Sequence, residues 1–514
     1  MKPTNYQTAI ELFEGNTPLL PIYGLDFEPG DEQRALIKNT LQGLQAGNRL
    51  NLFPGAAGTG KTTTLIILLK VLEDCGQVVT CAAPTHKAAG RFQESLGADY
   101  AEKKVVTLHS IIYAGAEEKR ETTTDEDGNE IVAEFGDELL FNHRKPGTAK
   151  VGNVLVVDEA SMVGEGFAAD LWDAVPPTTK VVAVGDPHQL PPVLEAAGFP
   201  LDQATVVLSQ VYRQAEASPV LNAATSIRNE RVPFTYSPCG ADFKRGDQIL
   251  RQARVPVKWM DSAEAGQSLA AAYRRNDGDA VAIVGTHATR VELNDATRHF
   301  LGFPRRNQGP QVGERLICRA RGAGLQNSDV VTVKAVEAVD FGPRFGDGWV
   351  LRVANGRERE VAVLRSTWDG NCQPKHRGLV PYSVQKNQED FIAEDIAQYG
   401  EAIYAAVETQ CDGWKARKGE EAPEWLKGIW TAQEARKQGA YALYLKQYLG
   451  SLDSGYAITC HAAQGSQYNE ILVIADCVDF IAEGDKDQVY RWSYTALTRA
   501  VSHALVVKKA RNGW

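Results

Sequence analysis

The chain has 514 residues, 43% hydrophobic and 23% charged, an ordinary globular composition whose length leaves room for about three or four domains. Acidic residues number 65 against 55 basic ones, a net charge of −10, which excludes a protein that is basic over its whole surface, so any nucleic-acid contact must come from local groups. Eight cysteines without a Cys-x-x-Cys pair, no signal-peptide pattern and no long apolar run argue against a disulfide scaffold, a structural zinc and a membrane span, and set the expectation of a soluble protein in a reducing, cytoplasmic compartment.

The first landmark is Phe27-Glu28-Pro29-Gly30-Asp31-Glu32-Gln33, a turn followed by a helix start with Asp31 as its cap. A glutamine amide matches both the donor and the acceptor edge of adenine, so Gln33 is the candidate base reader; a solvated helix face is its ordinary alternative. Next, an apolar run from Leu50 to Phe53 leads into Gly55-Ala-Ala-Gly58-Thr59-Gly60-Lys61-Thr62-Thr63 and a helix-period run with Leu65, Ile66, Leu69 and Leu72. This strand, glycine loop and helix form a nucleoside triphosphate site: Gly55, Gly58, Thr59 and Gly60 turn backbone amides towards phosphate oxygens, Lys61 reaches the β- and γ-phosphates, and Thr62 ligates Mg2+.

Val78 to Ala82 reads as a strand that ends in Ala83-Pro84-Thr85-His86-Lys87, and Val105-Val106-Thr107-Leu108-His109 repeats the pattern. Ligands of open parallel sheets lie beyond the carboxyl ends of strands, where these hydroxyl, imidazole and ammonium groups suit phosphodiester contacts; capped helix starts are the alternative. Between Glu117 and Glu138, ten acidic residues face only Lys119 and Arg120, and Asp127-Gly128 lies between Thr122 to Thr124 and Ile131-Val132. That pattern predicts a projecting hairpin, or else an acidic loop.

Val154 to Val157 is a wholly apolar strand ending in Asp158-Glu159. After a P-loop, Asp158 holds magnesium and Glu159 acts as general base towards water, whereas in isolation the pair would read as a helix cap. Val181 to Val184 leads into Gly185-Asp186-Pro187-His188-Gln189-Leu190-Pro191-Pro192-Val193, with Gln189 as γ-phosphate sensor, and then Leu208 to Gln214 contains Arg213. Residues 281–284 form another core strand. From Val312, short β segments at 314–320, 329–336, 349–353 and 360–364 suggest a small barrel. A helical stretch follows, with Trp414, Trp425 and Trp430 read as packing anchors. Tyr456 to Ser466 carries Thr459, His461 and Gln464 ahead of a strand at 471–474, and Tyr494 to Ala500, with Arg499, precedes the last strand at 504–507.

Taken in order, GAAGTGKT, APTHKAA, VVDEAS, GDPHQLPPV, VYRQ, TCHAAQG and YTALTRA resemble the motif set of superfamily 1 (1B) DNA helicases, most closely the RecD-like and phage Dda-type branch. The resemblance spans nearly the whole chain. It implies an α/β fold of two RecA-like P-loop NTPase cores: core 1A at 1–110 and 150–208, a β-hairpin insertion at 111–149, core 2A at 209–311 and 453–514, and an SH3-like β-barrel with a helical arm at 312–452. It further implies ATP and Mg2+ as cofactors and 5′-to-3′ movement on single-stranded DNA with duplex unwinding. Lys61, Glu159, Gln189, Arg213 and Arg499 would be catalytic, the two arginines as fingers. Pro84, Thr85, His86, Lys87, Thr107, His109, Thr459, His461 and Gln464 would line the DNA track. Partners would be single-stranded DNA and junctions with duplex, a single-strand-binding or replication protein, and no membrane, with the chain working as a monomer. In the sixth motif, Ala462-Ala463 stand where the family often has a lysine. A loader or assembly ATPase without unwinding, and a translocase on single-stranded DNA or RNA, remain open.

Overall fold

Runs of apolar, β-branched residues bounded by glycine and polar turns become the strands around which the chain is built. The computed structural model describes residues 2–15, 17–23, 28–97, 100, 104–124, 130–192, 195–211, 218–233, 241–320, 322–325, 328–342, 345–368, 382–439, 441, 445, 448–476 and 486–509.

In chain order the first strands are β1 (Leu50–Pro54), β2 (Val79–Ala83) and β3 (Val106–Thr107), followed by an antiparallel pair, β4 (Tyr113–Thr124) and β5 (Glu130–His143), and then β6 (Val154–Val157) and β7 (Lys180–Gly185). Strands β1, β7, β6, β2 and β3 lie side by side in that order, all parallel. Alternation of side chains divides the core into two layers: Val154, Val156, Val182 and Val184 pack on one face, Leu155, Val157, Val181 and Ala183 on the other. Both faces are covered, so continuous apolar strands are the only ones that fit.

In the antiparallel β4–β5 pair Thr123 lies opposite Ile131 and Thr124 opposite Glu130; the Asp127-Gly128 turn lies outside the described residues.

The second half repeats the scheme. Strands β8 (Val257–Met260) and β9 (Ala280–Val284) are followed by β10 (Arg315–Ala320), β11 (Val330–Asp340), β12 (Asp347–Ala354), β13 (Glu358–Leu364) and β14 (Ser451–Ser454), and the chain ends with β15 (Ala457–Thr459), β16 (Tyr468–Ile474) and β17 (Ala500–Lys509). A second parallel sheet has the order β15, β9, β16, β17, β8. The inserted strands make an antiparallel sheet in the order β13, β12, β11, β10, β14, and a bridge between Ala362 and Leu449 draws its two edges together. Strand β14 straddles the expected boundary at 453, because it pairs with β10 before the chain re-enters the second lobe.

Buried charge ties insert to lobe. Asp453 on β14 accepts from Arg290 and Arg306, each at 2.6 Å, and Glu314 pairs with Arg298 at 2.7 Å. The fully buried Trp368 ring lies 5.5 Å from the Arg298 guanidinium and 5.1 Å from that of Arg306. The helix Tyr382–Lys418 packs on the helix Glu424–Lys437, with the Trp414 and Trp430 rings 6.3 Å apart, and it also touches β5. Trp430 packs against the cluster of Phe341, Val350 and Ile403. Among the described residues, no helix is long and apolar enough to cross a membrane.

Candidate active site

After Pro54 the chain turns through Gly58 (φ 77°) and Gly60 (φ 70°) into the helix Lys61–Asp74. Both angles are left-handed, so glycine is the residue that takes them without a steric penalty. The loop is pinned from three sides: Gly55 N–H donates to Gly185 O, Ala56 N–H to Leu208 O, and Thr59 Oγ1 to Ala56 O at 2.8 Å. Lys61 Nζ lies 3.4 Å from Gly55 O, and the Thr62 side chain is exposed at the helix start.

Gln33 sits differently from the expectation. It is 1% exposed; its Oε1 accepts from Gly30 N–H at 3.0 Å and its Nε2 donates to Thr64 Oγ1 at 2.9 Å. The helix Asp31–Gln45 is therefore capped by Gly30, with Gln33 closing the first turn, and Asp31 is its first residue rather than its cap. Gln33 braces the P-loop helix, and only its second N–H and second lone pair remain for a base.

Strand β6 delivers Asp158 and Glu159 beside this loop. Burial pushes the Asp158 carboxyl up to about 6, Glu159 adds to the rise, and Lys61 and Arg91 oppose it. A buried carboxylate that carries this desolvation cost is one whose charge a divalent ion would stabilise; with the exposed Thr62 hydroxyl, the donor set fits magnesium. Glu159 adopts φ 51°, ψ 37°, a left-handed conformation that costs a non-glycine residue about 1–2 kcal/mol. Its Oε2 is buried, and no described group hydrogen-bonds it.

The second lobe meets the first on the loop after β7. Asp186, fully buried, accepts from His188 N–H at 2.9 Å and from the Tyr494 hydroxyl at 2.7 Å. Arg491 reaches Pro187 O, Leu190 N–H donates to Thr495 Oγ1 at 2.9 Å, and Gln464 Nε2 donates to Leu190 O at 3.0 Å. Between these anchors Gln189 is 5% exposed, with its Oε1 buried and without a described partner. Tyr494 also accepts from Ala57 N–H of the P-loop at 2.9 Å.

Of the two expected arginines, Arg499 is among the described residues, and its described hydrogen bonds stay within the second lobe. Arg499, 3% exposed, donates to Thr495 O, Ser466 O and Thr498 Oγ1, all within its own lobe. Arg213 lies outside the described residues. A cation that sequence reading missed is Arg91, which donates to Gln467 Oε1 of the second lobe at 2.9 Å and whose charge is felt by Asp158. Tyr494 was missed as well. It stands in the same motif as Arg499, but a lone tyrosine carries no signal of its partners, which come from two distant segments.

Thr85, Thr107 and Thr459 share one local structure: each caps a helix immediately after a strand, accepting from Ala88, Ser110 and Ala462 N–H at 3.1, 3.4 and 3.4 Å. His86, His109 and His461 beside them are exposed, His109 with its ring centroid 4.6 Å from that of Phe167. Pro84 is buried. Lys87 and Gln464 are drawn into the lobe interface, Lys87 donating to the Tyr468 hydroxyl at 3.2 Å and Gln464 to Leu190 O, because a buried polar group takes the partner that excludes water.

Residues 28–240 match the family described as an AAA domain, and residues 454–507 match the UvrD-like helicase C-terminal domain. The chain is 34% identical over 510 residues to the RecBCD enzyme subunit RecD of Mycolicibacterium smegmatis, covering 95% of this chain and 72% of that protein. It is 36% identical over 193 residues to the ATP-dependent RecD2 DNA helicase of Deinococcus radiodurans, covering 37% of this chain but only 23% of that protein. Among solved structures, Bacteroides Pif1 bound to ssDNA aligns with a TM-score of 0.42 at 18% identity, covering 94% of this chain and 92% of that one. With a relative matched at that identity over most of both chains, the protein belongs to the RecD family of superfamily 1 helicases.

Proposed function

We propose that this chain is a DNA-dependent ATPase that moves along single-stranded DNA, 5′ to 3′, and separates duplex ahead of it. The observation that carries the reading is the loop at 186–190, which follows the strand beside the hydrolytic carboxylates and is fastened to the second lobe by Tyr494, Thr495, Arg491 and Gln464. A change at the triphosphate therefore has a short mechanical route to the other lobe. The parallel sheets support two RecA-like cores divided as the sequence suggests, and the insert whose edges meet at Ala362 and Leu449 supports an SH3-like barrel.

In this reading Lys61 carries charge to the γ-phosphate, Glu159 takes the proton of the attacking water, and Gln189 senses the γ-phosphate. Thr62 and Asp158 would hold magnesium, which when bound neutralises charge on the phosphate oxygens. Arg499 becomes a finger by exchanging its bonds to Thr495 O and Ser466 O for phosphate as the lobes close, and Arg213 serves as its companion. Gln33 reads adenine with its remaining N–H and lone pair. Pro84, Thr85, His86, Thr107, His109, Thr459 and His461 form the track, with Lys87 and Gln464 at the seam between lobes. Neutral hydrogen-bonding groups let a strand slide, which accords with the net charge of −10.

Strand displacement on duplexes with 5′ or 3′ single-stranded tails, run beside ATP hydrolysis with and without oligo(dT), tests the proposal. Displacement from the 5′-tailed substrate and strong stimulation are expected; equal hydrolysis with and without DNA would refute it.

A further inference from the structure

Tyr494 occupies a position that the hydrolytic assignment leaves unused. Its side chain comes from the second lobe, in the helix Lys486–Leu497, yet both groups it bonds belong to the first: Ala57 N–H of the P-loop, at 2.9 Å, and Asp186 Oδ2, at 2.7 Å. The residue is 1% exposed, and Asp186 is fully buried.

A phenol has one proton to give. An anion buried with two described hydrogen bonds, from His188 N–H and this hydroxyl, takes that proton, so the oxygen's lone pairs face Ala57. The result is a directed chain, Ala57 N–H to Tyr494 O–H to the Asp186 carboxylate, in which each bond polarises the next. Its two ends do different things. Ala57 is the third residue of the phosphate-cradling loop, whose amides serve phosphate oxygens. Asp186 opens the loop that carries Gln189, since Gln189 N–H donates to Asp186 O.

We propose that Tyr494 is a positioning residue that couples the two: its hydroxyl holds one P-loop amide until a phosphate oxygen takes that amide over, and the release removes one of the two bonds by which the tyrosine fastens the second lobe to the first, leaving it to pivot on Asp186. The inference rests on the ATPase reading above and deepens it. It follows that the hydroxyl competes with nucleotide at one amide, so removing it strengthens nucleotide binding while weakening what binding transmits.

The test is Tyr494→Phe, which keeps the ring against His188 and deletes the oxygen. Equilibrium titration without DNA, using the magnesium complex of a slowly hydrolysed ATP analogue, is expected to show about three- to tenfold tighter binding, the equivalent of one net hydrogen bond. Stimulation of hydrolysis by oligo(dT) is expected to fall at least fivefold, with kcat and KM both lower. A residue with a purely structural role would lower kcat without tightening binding. Unchanged or weaker binding, with melting within a few degrees of wild type, overturns the proposal. If the variant melts early, Asp186→Asn addresses the chain from its other end and carries the same expected direction; no tightening there overturns the proposal too. Wild-type hydrolysis indifferent to DNA would instead refute the helicase reading and leave the binding comparison valid.

Discussion

Glu159 shows how a single residue can combine strain and chemistry. Its left-handed backbone, which costs about 1–2 kcal/mol, is held because β6 and the short helical turn at Ala160–Met162 fix the residues on either side. Glu159→Gln keeps shape and strain and removes the proposed base, so phosphate release should slow by about 10²- to 10⁴-fold with nucleotide binding retained. Glu159→Gly relieves the backbone instead: its urea midpoint should be no lower than wild type while turnover is lost, and a clearly lower midpoint would show that the carboxylate is structural. Lys61→Ala should reduce hydrolysis to background with the fold retained, because the ammonium's described hydrogen bond is a long one to Gly55 O. Circular dichroism melts beside a phosphate assay check both.

At the scale of elements, the join between the antiparallel insert and the second lobe depends on buried ions. Burial alone would raise the Asp453 carboxyl, but Arg306 and Arg290 outweigh it and hold the group well below the usual carboxylate range. A depressed acid contributes stability in full above its unfolded value, near about 3.9, and loses it as pH falls from there towards the folded value. Asp453→Asn should cost about 3–5 kcal/mol at neutral pH, since the buried Arg290 and the part-buried Arg306 both lose this carboxylate, and it should flatten the acid limb of stability against pH. Urea unfolding from pH 7 down to pH 3 measures both; an unchanged acid limb in the variant would place the acid sensitivity elsewhere.

For the molecule as a whole, the described contacts between lobes are small and spread over three first-lobe segments, Ala57 of the P-loop, Lys87 and Arg91, and the loop at 186–190, which suits parts that must move relative to each other. DNA binding, if it runs through threonine caps and exposed histidines, should weaken only modestly with salt. Anisotropy titrations of a labelled oligo(dT) from 50 to 200 mM salt should lose well under the ~10³-fold expected of a surface that neutralises six or more phosphates.

How much of this was legible beforehand differs between elements. The strands at 50–54, 154–157 and 180–185 follow from continuous apolar runs, since a strand buried on both faces has no polar position to blur the pattern. Strands β8, β14 and β15 escaped notice because three or four residues carry no readable period, and β14 exists as a strand only through its pairing with β10. Within the candidate site, Lys61, Thr62, Asp158 and Glu159 stand out in the sequence because local spacing alone marks them as candidates. Gln33 as a brace, Arg91 beside the carboxylates, Arg499 held on its own lobe's carbonyls and Tyr494 between two first-lobe segments are long-range facts. By itself the sequence determined the candidate groups and the order of strands that carry them, because backbone propensity and motif spacing are local. Only the tertiary structure decided which polar side chains are consumed by bracing and which face the site, because a buried donor takes whichever acceptor the fold brings within 3 Å, and that partner can lie hundreds of residues away.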